Sequence, residues 1–173
     1  MTGNQRKVDY LQKWLNFPVH HHKLDLDELQ SLDAHVVVEH KARQAYDVLH
    51  ESVLVEDTSL TFTAMGHLPG TFIKWFLEEV GNEGLCKIVD GLTHRGAVAT
   101  VTYGYCDGTT VHFFESSIPG LIAPEPRGRQ GMGWDPVFIP EGTTKTLAEM
   151  SDEEKKSFSA RARAIKDLEA YLQ

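Results

Sequence analysis

The sequence predicts an α/β fold with a long central mixed sheet flanked by helices. Segments typical of strands and of helices alternate through the first half of the chain, and a β-hairpin pattern follows at residues 96–116. The chain has 173 residues, which favours a single domain with room for two lobes. Alternation followed by a hairpin is typical of a sheet with both parallel and antiparallel strands.

The elements of the first half follow from the spacing of apolar residues. From Asn4 to about Leu15 these residues recur at helical spacing, and Asn4 is a suitable N-cap. Residues 19–26 predict a short strand, and residues 35–50 predict a second helix despite a β-branched start. The apolar run in residues 52–56 predicts a buried strand that ends on an acid.

The second half contains two more helical regions and the hairpin. Residues 68–81 carry a proline near the start and a glycine at the end, which is the usual asymmetry of a helix, and residues 82–92 predict another short helix. The Asp107-Gly108 pair predicts a type I′ turn in the hairpin. Residues 151–172 predict one long closing helix, with a serine and a glutamate in capping-box spacing.

Composition and charge exclude several classes of protein. The chain is 41% apolar and 24% charged, and it has neither an apolar run long enough to cross a bilayer nor a basic and apolar leader. Cys86 and Cys106 are too few for a disulfide scaffold and lack metal-site spacing. We therefore expect a reduced, cytoplasmic protein without a membrane partner. The net charge of −8 argues against nucleic acid as a partner but allows a small anionic ligand.

Two acidic stretches are candidate ligand sites. The acids of residues 25–29 could hold a hard cation such as Mg²⁺, or form an ordinary acidic loop. Glu56 and Asp57 follow the predicted strand directly, at the edge of the sheet where α/β folds bind ligands. Because a buried carboxylate is costly without a partner, a positive group should lie beside them. Alternatively, Asp57 caps the next segment through Thr58 and Ser59.

Two basic stretches could bind an anion or a nucleotide. Residues 2–7, "TGNQRK", place small residues and two cations at a predicted helix start, which is a natural anion site or a capped surface helix. In residues 154–165, Lys155 and Arg161 stand on the closing helix, where a solvated basic face is the alternative interpretation.

A glycine-rich loop and a histidine run complete the candidates. In residues 126–138, the glycines allow close approach to a ligand, Trp134 could lie beside a planar base and Asp135 could accept a hydrogen bond from a ring N–H. The alternative is a surface loop with Trp134 in the core. Residues 20–22 are consecutive histidines that would alternate between the faces of a strand, so they predict a polar edge strand rather than a metal site.

In this order, these stretches resemble the inosine triphosphate pyrophosphatase family, also called Ham1-type or non-canonical purine nucleoside triphosphatases. The segments that carry the resemblance cover nearly the whole chain: "TGNQRK", "VLVEDTSLTFTAMGHLPGTFIKWFLE", "GWDPVFIPEG", "TLAEMSDEEK" and "SARARAI". The resemblance implies one pyrophosphatase domain over residues 1–173, two lobes around a nucleotide cleft, a homodimer, and Mg²⁺ (with Mn²⁺ as an alternative) as cofactor. The implied reaction is hydrolysis of ITP, dITP or XTP to the monophosphate and pyrophosphate, which clears deaminated purines from the nucleotide pool.

The resemblance also implies roles for single residues. Asp57 and Lys7 match the catalytic positions, and Glu28 and Asp57 match the metal ligands. In the implied mechanism, Asp57 orients or deprotonates water for attack at the α-phosphorus. The positions that match substrate-binding residues are Thr2, Gly3, Asn4, Arg6, Lys7, Lys41, Thr58, Lys74, Met132, Gly133, Trp134, Asp135, Lys155, Ser159 and Arg161.

The chain departs from the family pattern at three places. Ala160 stands where the family has a histidine, and Met132 stands where it has a phenylalanine. A core strand normally precedes the Thr-Gly-Asn sequence, so we expect the first core strand to be missing here. Two alternatives follow: a degenerate member that binds nucleotides without efficient catalysis, and a pyrophosphatase with shifted base preference.

Overall fold

The computed structural model describes Val8, Leu11, Gln12, Trp14, Leu15 and residues 17–173. Of the predicted N-terminal helix, the described positions 8, 11, 12 and 14 are helical, Leu15 is not, and the other positions lie outside the described residues. The remaining elements are α1 (Ala34–Leu49), β1 (Val53–Phe62), β2 (Pro69–Gly70), α2 (Ile73–Asp90), β3 (Gly96–Cys106), β4 (Val111–Ile122), β5 (Phe138–Pro140), α3 (Asp152–Phe158) and α4 (Ala160–Leu172), with short 3₁₀ turns at Thr63–Met65 and Leu147–Glu149.

The predicted α/β fold is confirmed, and its strands form one five-stranded sheet. The strand order is β2-β1-β3-β4-β5, and the described sheet is antiparallel rather than mixed as predicted, with Leu60 opposite Gly70 and Gly120 opposite Pro140. The central strand β3 is buried at every position from 101 to 104. Such a run, rather than an alternation of buried and exposed residues, indicates that this strand is covered on both faces.

Two compact units divide the described chain. Unit 1 contains the residues up to Thr58 together with Val101–Ser116 and Arg161–Gln173, and unit 2 contains Ser59–Thr100 and Ser117–Ala160. Unit 1 has a core cluster from α1, β1, β3 and β4, formed by Val38, Ala42, Ala45, Val53, Val55, Cys106 and Val111. Unit 2 has buried apolar residues of its own, including Phe62, Ile73, Leu85, Ile122, Phe138 and Met150.

Helix α1 forms where the sequence predicts it, because its ends are capped and one stripe is buried. The Asp33 carboxylate accepts a hydrogen bond from the His35 N–H at 2.9 Å, as an N-cap residue does. At the other end, His50 adopts a left-handed conformation and donates its N–H to the Tyr46 carbonyl at 2.7 Å. Burial of Val37 and Val38 offsets the low helix propensity of β-branched residues.

The predicted strand at residues 19–26 is wrong. Residues 18–31 have no regular structure, and the histidines of residues 20–22 are exposed without belonging to an edge strand. Leu24 and Leu26 pack against the core cluster of unit 1, whereas the acids between and after them are exposed. An extended segment that lies on a core alternates buried and exposed side chains as a strand does, although it forms no ladder of hydrogen bonds with a neighbouring strand.

Strand β1 runs past the acids. It extends to Phe62, so Asp57 lies in its interior and the predicted strand end at residue 56 is wrong. The capping role for Asp57 is wrong for the same reason, since no turn follows it. Thr58 and Ser59 continue the strand as half-buried residues.

The hairpin is confirmed, but its turn differs from the prediction. A loop of residues 107–110 connects β3 to β4, in place of a two-residue type I′ turn. The Asp107 carboxylate accepts hydrogen bonds from the N–H groups of Thr109 and Thr110, each at 2.8 Å, and Gly108 has a φ of 102°. The side chain of Asp107 thus organises a longer loop than the dipeptide suggested.

Both long helical regions contain a break. In α2, Gly81 has φ 65° and ψ −174°, which confirms the predicted boundary between two helical segments, although the first begins at Ile73 rather than residue 68. The predicted single closing helix is wrong, because Ser159 has φ −105° and ψ 116° and separates α3 from α4. The capping box of Ser151 and Glu154 is confirmed at the start of α3.

Two further expectations concern membrane-spanning segments and the state of the cysteines. None of the described helices combines the length and the apolar character that crossing a bilayer requires. Cys86 and Cys106 are both buried and free.

Candidate functional site

Asp57 forms an ion pair with Lys41 inside unit 1. The distance between Lys41 Nζ and Asp57 Oδ1 is 3.0 Å, and the two side chains are 22% and 15% exposed. Lys41 stands on α1 and Asp57 on β1, so the contact joins the helix to the strand on which it packs. The positive partner that the sequence required for this carboxylate is therefore a lysine of the same chain, which donates a charge-assisted hydrogen bond to one carboxylate oxygen.

Glu56 forms a second and more enclosed ion pair. Arg161 donates from Nη2 to Oε1 at 2.8 Å and from Nε to Oε2 at 3.2 Å, and the two side chains are 14% and 6% exposed. The interpretation of this part of the closing helix as a solvated basic face is wrong for Arg161. Adjacent strand residues point to opposite faces, so Glu56 and Asp57 each meet a cation from a different helix.

Tyr103 lies beside the Glu56–Arg161 pair and is only 1% exposed. Burial raises the pKa of the Tyr103 hydroxyl well above its usual value, and the nearby Glu56 carboxylate raises it further. The hydroxyl therefore stays neutral beside the ion pair. No sequence pattern pointed to this neighbour, because Tyr103 occupies an ordinary core position of β3.

Asp135 is the centre of a separate arrangement in unit 2. Its Oδ2 atom accepts hydrogen bonds from Lys155 Nζ at 3.2 Å and from the Met132 N–H at 2.9 Å. Gly131 has a φ of 102°, and a Cβ atom there would overlap the Asp135 carboxylate. The chain thus folds tightly around this acid, which only glycine allows. Asp135 and Lys155, both predicted as site residues, are brought together.

A contact from α2 fixes the same loop. Asn82 donates from Nδ2 to the Gly133 carbonyl at 3.1 Å, directly after the break at Gly81. Gly133 has a φ of 56°, and Trp134 is half-buried, so it is neither an exposed side chain nor a core residue. Sequence reasoning missed Asn82, since a loop contact across 51 positions leaves no local pattern.

The other predicted site residues in the described part of the chain lie on several different elements. Glu28 is exposed in the irregular segment, Lys74 is exposed with its Nζ 4.9 Å from the centre of the Trp75 ring, and Thr58 lies within β1. Ser159 occupies the break between α3 and α4. Five predicted residues lie outside the described part of the chain: Thr2, Gly3, Asn4, Arg6 and Lys7.

The donor set suits a hard cation shared with a ligand rather than a metal held by protein alone. Within the described residues, no three histidine, cysteine, aspartate or glutamate side chains are grouped to hold a metal ion. The predicted ligands Glu28 and Asp57 both offer carboxylate oxygens. Mg²⁺ typically takes one or two carboxylates and completes its coordination with water and phosphate oxygens. The residues present therefore fit that mode of binding.

Comparison with known proteins shows where this arrangement belongs. The chain is 45% identical to inosine triphosphate pyrophosphatase 2 of Trypanosoma cruzi, over 99% of this chain and 90% of that protein. It is 41% identical to inosine triphosphate pyrophosphatase of Yarrowia lipolytica, over 99% and 91%. The solved structure of the Staphylococcus aureus Ham1 protein has a TM-score of 0.85 at 25% identity and covers 99% of this chain and 95% of its own. A sequence profile of the Ham1 family matches residues 1–171, and the chain belongs to the Ham1 family.

Proposed function

We propose that this chain is a nucleoside triphosphate pyrophosphatase that hydrolyses ITP, dITP and XTP to the monophosphate and pyrophosphate, with Mg²⁺ or Mn²⁺ as cofactor. The observation that carries the proposal is the enclosed Lys41–Asp57 pair, at 3.0 Å, in a chain 45% identical to a protein named inosine triphosphate pyrophosphatase 2. The expected homodimer, the cytoplasmic location and the single catalytic domain over residues 1–173 stay predictions.

Asp57 is the proposed catalytic carboxylate. A carboxylate held in one orientation can accept a hydrogen bond from water and direct that water at the α-phosphorus of a triphosphate. The 3.0 Å contact of Lys41 with Oδ1 restricts the orientations open to this carboxylate. Positioned proton acceptors of this kind contribute about 10²–10⁴-fold to a rate.

The cations are proposed to bind the triphosphate and the leaving pyrophosphate. Lys41 and Lys74 are the described members of this group, and Arg6 and Lys7 complete it by resemblance. Glu28 and Asp57 would hold the divalent ion, which when bound neutralises phosphate charge and polarises phosphoryl oxygens. Phosphoryl transfer depends mainly on such positioning and charge neutralisation.

Base selectivity is proposed to depend on buried polar groups. A 6-oxo purine presents an acceptor at O6, which matches the N–H donors of Arg161, whereas adenine presents an amino group there. Leaving a buried donor without an acceptor costs about 1–3 kcal/mol, and more when the donor is charged. A site of this kind rejects ATP more strongly than an apolar pocket of the same shape would.

The test is pyrophosphate release from a panel of ITP, dITP, XTP, GTP, ATP and modified pyrimidine triphosphates, with Mg²⁺, with Mn²⁺ and with EDTA. We expect the 6-oxo purines without a 2-amino group to be hydrolysed fastest, and EDTA to abolish release. Binding of ITP without release would favour the degenerate binder. Preference for another base would favour the second candidate, to which the replacement of the family histidine by the buried Ala160 points.

A further inference from the structure

The Glu56–Arg161 pair is built as an orienting contact. Arg161 presents one edge of its guanidinium, Nε and Nη2, to the two oxygens of one carboxylate. Two parallel hydrogen bonds fix the plane of a guanidinium, whereas a single bond lets it rotate. With Glu56 only 6% exposed, solvent has little access to disturb this geometry.

A contribution to stability does not explain why this ion pair is buried. Removing both charges from water costs several kcal/mol per ion, so a buried pair often contributes less than apolar residues of the same size. Tyr103, which is 1% exposed, interacts electrostatically with both members of the pair. The desolvation of the two charges opposes folding, whereas the paired hydrogen bonds define the geometry. Both features are better explained by a need to hold the guanidinium in place.

The position of both residues in unit 1 connects the pair to the proposed chemistry. Glu56 is the immediate neighbour of Asp57 on β1. Arg161 stands in the first turn of α4, two residues after the backbone break at Ser159. The two hydrogen bonds to Glu56 connect this first turn to β1, and they restrict where the Arg161 side chain points.

We propose that Glu56 is a positioning residue that fixes the guanidinium of Arg161 for recognition of the purine 6-oxo group, and thereby sets base selectivity. This inference depends on the proposed function, because it assigns Arg161 to the base. Glu56 acts through Arg161 and takes no part in the attack on phosphorus. Its removal therefore affects binding and selectivity, and not the chemical step.

The main test is the Glu56→Gln variant, which keeps the shape and one acceptor but removes the charge. We expect the KM for ITP to rise roughly tenfold, about 1.4 kcal/mol, with kcat within about threefold of wild type and a matching fall in the ITP-to-ATP ratio of kcat/KM. In an Arg161→Ala background, Glu56→Gln changes neither KM nor selectivity further, because the group it positions is gone. A purely structural role would lower the free energy of unfolding but leave the ITP-to-ATP ratio of kcat/KM unchanged.

The matched control is Glu39→Gln. In that pair, Arg43 donates from Nε and Nη2 to Glu39 at 2.9 and 2.7 Å, with the same guanidinium atoms, but the side chains are 52% and 46% exposed. Its loss should leave KM, kcat and selectivity unchanged. If Glu56→Gln does not fold, judged by circular dichroism, then Glu56→Asp, which keeps the charge on a shorter side chain, should show the same KM effect at smaller size.

Calorimetric titration of ITP and ATP in EDTA separates this inference from the proposed function. A wild type that hydrolyses no ITP contradicts the function, yet its ITP-to-ATP affinity ratio still shows whether Glu56 controls selectivity. A ratio unchanged by Glu56→Gln overturns the inference. So does a fall in kcat at constant KM, or an effect of Glu56→Gln that persists in full without Arg161.

Discussion

At the scale of single residues, two adjacent acids on β1 have separate partners and separate proposed roles. Asp57 pairs with Lys41 on α1, and Glu56 pairs with Arg161 on α4. Alternation along a strand makes this division possible, since neighbouring side chains leave on opposite faces of the sheet. One strand can thus carry a reacting group on one face and a positioning group on the other.

The first prediction concerns Asp57→Asn. Asparagine keeps the size of the side chain but cannot accept a proton, so we expect turnover of ITP to fall at least about 100-fold. The fold should persist, because an amide can still accept a hydrogen bond from Lys41. Pyrophosphate release and circular dichroism measure the two effects.

Asp47→Asn is the control for that prediction. Asp47 is an exposed residue of α1, so the same change of side chain there should leave turnover unaffected. Turnover of Asp57→Asn within a few-fold of wild type would remove Asp57 from the catalytic role.

The sequence predicted some of these residue contacts and not others. It indicated that Asp57 needed a positive neighbour, because the cost of an unpartnered buried carboxylate is a local argument. It did not reveal that Arg161 binds Glu56, because the two residues are 105 positions apart. Whether they meet depends on how all the elements between them pack. The Asn82 contact with Gly133 was invisible for the same reason.

At the scale of elements, close approach of α1 to the sheet depends on a glycine. A Cβ atom at Gly104 of β3 would overlap Val38 Cγ1, and it would lie 3.4 Å from Val111 Cγ1 and 3.5 Å from Val55 Cγ2. We expect Gly104→Ala to destabilise the protein by about 1–3 kcal/mol through overpacking, measured by urea denaturation.

The compensating variant tests that explanation. Val38→Ala removes the clashing methyl groups, so Gly104→Ala with Val38→Ala should be less destabilised than the sum of the two single variants. Additive effects would show that the cost arises from backbone strain rather than from contact with Val38.

The start of α3 provides a pH-dependent prediction. Hydrogen bonds from the Lys145 ammonium and then from the Ser151 N–H and hydroxyl lower the pKa of Glu154 from 4.5 to about 2. Since the folded state favours the carboxylate, this contribution to stability is complete above about pH 4.5 and is lost as the pH falls towards 2. The free-energy difference between wild type and Glu154→Gln should follow that course in urea denaturation. A difference independent of pH would contradict it.

Element boundaries show where sequence patterns fail. The capping-box pattern located the start of α3 correctly, because a cap is a contact between neighbours in sequence. The break at Ser159 and the length of β1 were not predicted, since both depend on contacts made by distant segments. The segment at residues 19–26 alternates like a strand but finds no partner strand, which periodicity alone does not reveal.

At the scale of the whole molecule, the net negative charge of the chain repels the proposed anionic ligand. A net charge of −8 opposes binding of a triphosphate at long range, so local cations must provide the attraction. The described members of the proposed group are Lys41 and Lys74. Added salt should therefore lower the affinity for ITP less steeply than it lowers the affinity of a wholly basic protein for an anion.

The last prediction concerns ligand-linked stability. In EDTA, where the proposed hydrolysis does not proceed, ITP at about 100 times its Kd should stabilise the folded state by about 2.7 kcal/mol. For a chain of this size, that corresponds to a rise in Tm of roughly 5–11 °C. ATP at the same concentration, with an affinity about tenfold lower, should add about 1.4 kcal/mol and roughly half that shift. The shift in Tm depends on the affinity of the folded state for the nucleotide and not on the rate of its hydrolysis. Equal shifts for ITP and ATP would therefore contradict base selectivity in binding, even in a chain that hydrolyses both.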